Sequence, residues 1–347
     1  MNVVLYRYGS ICEPDIIAGF QKLGLNVIEI TEEIQNKMIT PSRQVELVNK
    51  AIEEYSPSFV FSINFFPAVA KICHVLGVFY LCWTVDSPVL ELFSEAISYD
   101  TNRIFLFDRV QYQYFHRFNS NGTFHLPLAS AVDRFDRVIG ERISGNCRVT
   151  NGMEKTKQPA QQSKENADAQ WDFTGDITFV GSLYSEKSPL SRVKLSDRTA
   201  GYIDGICEAT LKVYGYNFME EALSDECVGE IKRTFPDFFT LKDKVPELTD
   251  EEIDRYVAAH YYVGYLEAQK ERVRTLNTLA EHFKVDMFEI GVDLESYGSM
   301  EELIDKCAYY LSHEEERARI AMNGYQKVKQ FDTYDVRIRE MLSAATA

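Results

Sequence analysis

Residues 59–83 read FVFSINFFPAVAKICHVLGVFYLCW and contain one complete strand–helix–strand pattern. The apolar run from Phe59 to Ile63 predicts a buried strand, and Val78 to Trp83 predicts a second one. Between them, Ala68 to Leu76 has helical spacing and is followed by Gly77, which suits the left-handed turn at a helix end. Parallel strands need a crossover connection, so this pattern is typical of a parallel sheet.

The same alternation of strands and helices continues on both sides of this stretch. The further predicted elements are strands at Val3 to Tyr6, Asn26 to Ile30, Arg103 to Phe107 and Thr123 to Leu126, and helices at Pro14 to Leu23, Ser42 to Tyr55, Pro88 to Ile97 and Val110 to Phe118. Regular alternation favours the α/β class, with helices on both faces of a mostly parallel sheet. We therefore predict one Rossmann-like domain over residues 1–143.

Ligands of such sheets bind beyond the carboxyl ends of the strands. The loops there contain Gly9 and Ser10 after the first strand, Asn64 after the third, and Asp86 with Ser87 after the fourth. Asp86 can act as a general base if it lies in a cleft within hydrogen-bond reach of a hydroxyl. The alternative is that Asp86 or Ser87 caps the helix that follows, and the two roles can coexist.

The second half of the chain begins with a change of composition. Residues 144–172 are polar and nearly free of large apolar side chains, which indicates a flexible linker or a surface insertion. A short apolar strand then ends at Gly181 and Ser182, a turn whose amides can approach a phosphate, although a plain strand exit also explains it. Residues 186–270 are mostly helical in pattern, and Val285 opens another strand.

The last part of the chain, residues 299–342, predicts two closing helices. Ser299 with Glu302 has the spacing of a capping box, and Ser312 with Glu315 repeats it. Apolar residues follow each box at helical spacing. Pattern alone does not distinguish them from ordinary amphipathic helices of any α/β protein.

Charge and composition exclude several classes of function. The net charge of -16 and the pI near 4.9 disfavour nucleic acid as a partner, although a local anion site for a small phosphorylated ligand stays open. No apolar run is long enough to span a bilayer, and the N-terminus does not resemble a signal peptide, so we expect a cytoplasmic protein. The seven cysteines and six histidines are scattered without ligand spacing, so we expect no metal and no disulfide framework.

Several segments in this order resemble the CgeB-like, spore-maturation group of glycosyltransferase-like proteins. They are Tyr6 to Ser10, Cys82 to Pro88, Leu126 to Ala129, Asp176 to Tyr184, Arg272 to Val285 and Glu289 to Arg339. The resemblance covers most of the chain apart from the polar segment.

The resemblance implies a GT-B fold, with two Rossmann-like domains and a C-terminal domain over residues 173–347. It implies no cofactor, a UDP- or GDP-linked sugar as donor substrate, and an unknown glycan, protein or small molecule as acceptor. Asp86 would then be catalytic. The acceptor-side loops would contain Gly9, Ser10, Asn64 and Trp83, and the donor would contact Gly181, Ser182, Tyr184 and Glu289.

The chain departs from its relatives just after Val285. Relatives continue there with further β/α units whose acidic residue and glycines contact the donor, whereas here Asp286 runs almost directly into the closing segment. At roughly 30 residues per unit, about two units would be absent. We therefore expect a reduced second domain with an incomplete donor site.

Three functions stay open at this point. The chain can be an active glycosyltransferase, a non-catalytic nucleotide- or sugar-binding relative, or a protein-interaction module that has lost catalysis. A homo-oligomer is compatible with each of them.

Overall fold

The structure is a computed structural model of the 347-residue chain. It describes residues 1–143, 176–179, 182–185, 187–235, 238–239, 241, 243–283, 285–287 and 299–346. The predicted linker at 144–172 and two of the predicted donor residues, Gly181 and Glu289, lie outside the described residues.

The first domain is built on a six-stranded sheet in the order β2-β1-β3-β4-β5-β6, with every neighbouring pair parallel. Its strands are β1 (Asn2–Tyr6), β2 (Asn26–Ile30), β3 (Phe59–Ile63), β4 (Phe79–Trp83), β5 (Asn102–Leu106) and β6 (Thr123–His125). From β1, the chain adds β2 on one side of the sheet and then β3 to β6 on the other. The boundary between β1 and β3 is therefore the topological switch point, where such sheets form a ligand-binding crevice. The predicted α/β class is confirmed.

The helices of this domain match the predicted ones except at Glu32–Gln35 and Val132–Ile143, where no helix is predicted, and at 88–97. They are α1 (Glu13–Lys22), α2 (Glu32–Gln35), α3 (Pro41–Tyr55), α4 (Pro67–Leu76), α5 (Arg109–Phe115) and α6 (Val132–Ile143). The predicted helix from Pro88 to Ile97 is wrong, because this segment forms two short 3₁₀ turns, Leu90–Phe93 and Glu95–Ser98. Ser94 between them has an extended backbone, and its hydroxyl accepts from the Ala96 N–H instead of continuing a helix.

Side chains of each strand alternate between two cores. On β1, Val3 and Leu5 face the core that contains α1, whereas Val4 and Tyr6 face the opposite one. All four are completely buried. The sheet therefore needs cover on both faces.

The second part of the chain contains a two-stranded parallel sheet and mostly helices. Its elements are β7 (Ile177–Phe179), β8 (Val285–Met287), α7 (Asp197–Thr210), α8 (Met219–Ala222), α9 (Asp225–Thr234), α10 (Asp250–Tyr256), α11 (Gly264–His282), α12 (Met300–Ser312), α13 (Glu314–Phe331) and α14 (Tyr334–Thr346). β7 and β8 pair with Ile177 opposite Val285. A π-helical segment, Val257–Val263, joins α10 to α11 without a break.

The helical region shares one core with the first domain. Ile231 of α9 and Val257 and Val263 of the π-helical segment are buried in the same cluster as Val60 of β3 and Cys73 of α4. The predicted insertion at 186–270 is thus packed on the face of the first sheet.

The closing segment forms three helices, α12, α13 and α14, where the sequence predicts two, and the first two begin differently. The Ser299 hydroxyl accepts from the Glu302 N–H at 3.1 Å and caps α12, as predicted. The second predicted capping box is wrong, because the Ser312 hydroxyl donates to carbonyl oxygens of its own helix, including Ala308 O at 3.1 Å. His313 stands at the start of α13 without a side-chain cap.

The last helix, α14, returns to the first domain and packs against α1. Ile338 and Met341 are completely buried in the core with Phe20 and Trp83. Gly19 of α1 permits this approach, because a Cβ there would lie 2.4 Å from the Ile338 Cδ1 atom. One face of the first sheet is therefore completed by residues from the other end of the sequence.

Replacing Ile338 with alanine should lower the free energy of unfolding by about 2–5 kcal/mol, because a buried aliphatic side chain is lost and a cavity remains. Urea unfolding followed by circular dichroism measures this loss. Arg339→Ala on the exposed side of the same helix is the control and should change stability by less than about 0.5 kcal/mol. A loss of stability in Ile338→Ala as small as that in Arg339→Ala would show that α14 does not contribute to the core.

Candidate functional site

A cleft of about 840 Å³ lies between the carboxyl ends of the first sheet and the long helix formed by α10, the π-helical segment and α11. One wall comes from the loops after β3, β4 and β5, including Asn64, Asp86 and Asp108. The other wall includes Tyr256, His260, Gly264 and Tyr265 from the long helix, together with Tyr184 and Asn217. The cleft is at the position where α/β sheets bind ligands.

Asn64 connects three strand ends on the first wall. Its side-chain amide donates to the Tyr8 hydroxyl at 3.0 Å and to Asp86 Oδ2 at 2.6 Å, and its Oδ1 accepts from the Val85 N–H at 3.0 Å. Its backbone has a φ of 57°, in the left-handed region that asparagine tolerates better than most residues. Asn64 thereby holds Asp86 at the mouth of the cleft.

Asp86 and Ser87 do not cap a helix, so the alternative role predicted for them is wrong. The next element is the 3₁₀ turn Leu90–Phe93, which starts at Val89 without a side-chain cap. Asp86 is exposed, and within the described part of the chain its Oδ1 has no hydrogen-bond partner. One carboxylate oxygen is thus free to face a ligand.

Ser87 belongs to a directed chain of hydrogen bonds. Its hydroxyl donates to Asp108 Oδ2 at 2.6 Å and accepts from Gln111 Nε2 at 2.8 Å. Asp108 caps α5, because its Oδ1 accepts from the backbone N–H groups of Val110 at 2.7 Å and Gln111 at 3.2 Å. These contacts lock the loops after β4 and β5 to each other.

The first wall carries excess negative charge. Asp86, Glu91 and Asp108 all line the cleft, and none of them forms a salt bridge with another described residue. Solvent reaches Glu91, but protein surrounds it on most sides, and this desolvation together with the charge of Asp86 raises its pKa. A ligand on this wall meets carboxylates without a compensating cation.

Two basic side chains lie beside Tyr184, although neither is among the residues that line the cleft. The Arg272 guanidinium lies 4.3 Å from the centre of the Tyr184 ring and donates to the carbonyl oxygen of Ser182, and Lys187 Nζ lies 5.8 Å from the same ring. Tyr184 also packs edge-on against Tyr265, with ring centres 5.4 Å apart. Ser182 and Tyr184, two predicted donor residues, therefore lie beside basic groups.

The π-helical segment shapes the second wall. It widens the long helix where Ala259, His260 and Gly264 line the cleft, and such segments are frequent at functional sites. His260 Nε2 lies 2.9 Å from Glu220 Oε2. Tyr256 is buried, and this burial raises the pKa of its hydroxyl, so it stays protonated at neutral pH.

Gly9 and Ser10 lie beside the cleft rather than in its wall. The backbone N–H groups of Tyr8 and Gly9 both donate to Glu13 Oε1 at 2.9 Å, and the Glu13 side chain is completely buried. The Gly9 amide is therefore occupied within the protein. Sequence reasoning missed Glu13, whose position at the first turn of α1 resembles any acidic helix start.

Trp83 lies in the core beneath the cleft. It is 1% exposed, and its ring N–H donates to the carbonyl oxygen of Leu126 at 3.1 Å. Trp83 therefore stabilises the sheet that carries Asp86.

Sequence reasoning also missed most of the cleft. Asp108 follows β5 as Asp86 follows β4, so the rule that selected Asp86 would have selected it too. Gln111, Glu91 and His260 follow no strand directly, and no local signal marks them.

A second cavity of about 560 Å³ adjoins the cleft and shares Val110 and Asn217 with it. Glu267 of α11 and Ser299 at the start of α12 both line it. Burial, and secondarily the charge of Glu271, raise the pKa of Glu267 to about 7. This carboxyl group is thus partly protonated near neutral pH.

Comparisons with known proteins give a family match and a similar solved structure. A family model described as glycosyl transferase-like matches residues 284–343, a segment that contains β8, α12, α13 and most of α14. A search of curated proteins found no match. The crystal structure of a glycosyltransferase from Rickettsia africae ESF-5 aligns with a TM-score of 0.42 and 11% sequence identity, covering 99% of this chain and 97% of that chain.

The C-terminal segment is therefore similar to glycosyl transferase-like domains. Among the helices described, none is both long and apolar enough to cross a membrane.

Asn64→Ala should destabilise the protein more than Asn64→Gly. Both variants lose the side-chain bonds that join three loops, but glycine keeps the left-handed backbone at no steric cost. We expect a loss of about 1–3 kcal/mol for alanine and a smaller loss for glycine, measured by urea unfolding. A glycine variant less stable than the alanine variant would contradict this account of the turn.

Glu267→Gln should change how stability depends on pH. The pKa of Glu267 is about 7 in the folded protein against an ordinary value of 4.5, so the folded state binds more protons between these values. The wild-type stability contribution of Glu267 should therefore fall as pH rises from 4.5 to 7 and level off above.

Unfolding free energies of wild type and variant, measured across this pH range, give the difference directly. Glu281→Gln, on an exposed position of the same helix, controls for the loss of one charge. A difference between wild type and Glu267→Gln that is constant over the whole range would refute the shift.

Proposed function

We propose that this protein transfers a sugar from a nucleotide-linked donor to an acceptor hydroxyl bound in the cleft. One observation carries the proposal: the free carboxylate oxygen of Asp86 lies on one wall of the cleft, and Tyr184, which lines the other wall, is backed by Arg272. Glycosyl transfer needs a base near the attacking hydroxyl and positive charge near the departing diphosphate. The family match of residues 284–343 supports the same class of reaction.

In the proposed step, the acceptor oxygen forms a bond to the anomeric carbon of the donor sugar. The bond between that carbon and the phosphate oxygen breaks, and the nucleoside diphosphate leaves with the electron pair. The acceptor hydroxyl proton passes to the Asp86 carboxylate. Arg272 and Lys187 offset the charge that develops on the leaving phosphate.

The arrangement we propose is GT-B-like, with the acceptor on the first sheet and the donor on the β7–β8 side. The six-stranded sheet, the cleft at its carboxyl ends and the return of α14 to the first domain agree with such an arrangement. Within the described ranges the second sheet has two strands, which agrees with a reduced second domain. Among the described residues, Ser182 and Tyr184 would contact the donor in this arrangement.

A panel of UDP- and GDP-linked sugars tests the proposal, with release of the nucleoside diphosphate as the readout. The wild-type protein should release it from at least one donor, faster when a sugar acceptor is added. Asp86→Asn should lower the rate by about 10²-fold or more, because the variant cannot accept the proton. Arg272→Ala should raise the KM for the donor, and Arg272→Lys should restore part of it.

Glu281→Gln is the matched control, since it removes one carboxylate outside the cleft and should leave the rate unchanged. Turnover that survives Asp86→Asn would remove Asp86 as the base. Binding of a nucleotide-sugar, measured by calorimetry, without any turnover would instead assign the chain to the non-catalytic sugar- or nucleotide-binding relatives.

A further inference from the structure

The first wall of the cleft contains Gln111, whose side-chain carbonyl oxygen is buried without a hydrogen-bond partner among the described residues. The residue is 2% exposed and lines the cleft. Its Oε1 atom is buried and has no hydrogen-bond partner in the part of the chain that the structure describes. A buried carbonyl oxygen without a donor is costly, so a ligand that brings a donor would bind favourably there.

The orientation of this amide follows from its neighbours. The Ser87 hydroxyl has a single hydrogen, which it donates to the Asp108 carboxylate, an acceptor only. Ser87 must therefore accept from Gln111, and the Gln111 side chain must turn its NH₂ group to Ser87. The carbonyl oxygen is the atom left over for a ligand.

The carboxylates of the first wall also favour a ligand that donates hydrogen bonds. Asp86, Glu91 and Asp108 can only accept hydrogen bonds when ionised, and no lysine or arginine is among the described residues that line the cleft. A phosphate or carboxylate on the ligand would be repelled by all three. Hydroxyl and ammonium groups would instead find acceptors, and the rings of Phe107 and Tyr265 supply apolar surface for a sugar ring.

We propose that the acceptor is a polyhydroxylated, non-anionic sugar, neutral or amine-bearing, whose hydroxyl or amine groups donate to Gln111 Oε1 and to the carboxylates of the first wall. That this sugar is the acceptor of the reaction rests on the proposed glycosyl transfer. Independently of that reaction, the first wall should bind sugars that carry many hydrogen-bond donor groups and should repel phosphorylated sugars.

Binding without a nucleotide-sugar tests this selectivity independently of catalysis. Saturation-transfer NMR and competition titrations compare three matched sets of probes: glucose, galactose and mannose, their 2-amino derivatives, and their 6-phosphates. At least one neutral sugar and its amino derivative should bind, and the matching 6-phosphate should bind at least about 10-fold more weakly. Gln111→Leu, similar in size, should weaken the neutral sugar about 5- to 10-fold, as expected for one lost hydrogen bond.

Charge is tested by the double variant Asp86→Asn with Glu91→Gln. It should reduce the preference for the amino sugar and bring the affinity for the 6-phosphate closer to that for the neutral sugar. Glu281→Gln should leave all three affinities unchanged, and thermal unfolding establishes that each variant is folded.

The proposal is overturned if a 6-phosphate binds as tightly as its neutral partner, if Gln111→Leu binds every sugar as well as wild type does, or if no neutral or amino sugar binds. Release of nucleoside diphosphate in the donor assay would still stand after any of these results. Conversely, selective sugar binding without donor turnover would support the cleft chemistry and refute the transferase assignment.

Discussion

The contacts of the Asn64 side chain are the constraint on which the cleft depends. One amide group, on a backbone turned into the left-handed region, joins the ends of β1, β3 and β4 through Tyr8, Asp86 and Val85. Beneath it, Ser62 donates to the Asn64 carbonyl oxygen at 2.7 Å and Tyr80 accepts from the Phe66 N–H at 3.0 Å. Because the turn is held from both sides, the position of Asp86 follows from the sheet itself and not from a loose loop.

The opposite wall is equally tied to the first domain. The long helix that carries Tyr256, His260 and Tyr265 buries its other side in the same core as β3 and α4. Two walls that share one core cannot separate without exposing apolar surface, which costs free energy in proportion to its area. The spacing of groups across the cleft is thus set by packing, and this favours a preorganised site over one assembled by a ligand.

The sequence predicts the first sheet well because its signals are local. Runs such as Phe59 to Ile63 are apolar except for Ser62 and are bounded by turn residues, so neither their class nor their limits depend on distant parts of the chain. The 3₁₀ turns after Pro88 escaped prediction because their apolar spacing is helical, and only the Ser94 hydroxyl bond to Ala96 reveals the break. A segment whose apolar residues have helical spacing need not form a helix when a side chain hydrogen-bonds to a backbone N–H that the helix would use.

The residues of the candidate site also fall into two groups, one that the sequence predicts and one that it does not. Asp86 and Asn64 are predictable because a parallel sheet places every strand end at one edge, and Asp108 falls under that rule as well. Gln111 and Glu91 are not, because which side chains of the segments after Asp108 and Asp86 face the cleft depends on local turn geometry, and His260 reaches it only through the packing of a helix distant in sequence. The unpaired oxygen of Gln111 in particular follows from the hydrogen bond between Ser87 and Asp108, which no spacing in the chain indicates.

The contact of α14 with α1 joins the two ends of the described sequence within one core. Gly19 and Ile338 touch although nearly the whole sequence separates them. During synthesis the strands of the first sheet and α1 emerge early, but the face that α1 shares with α14 is completed only once residue 341 has left the ribosome. The part of this apolar face that Ile338 and Met341 cover is therefore the last part of the first domain to be buried.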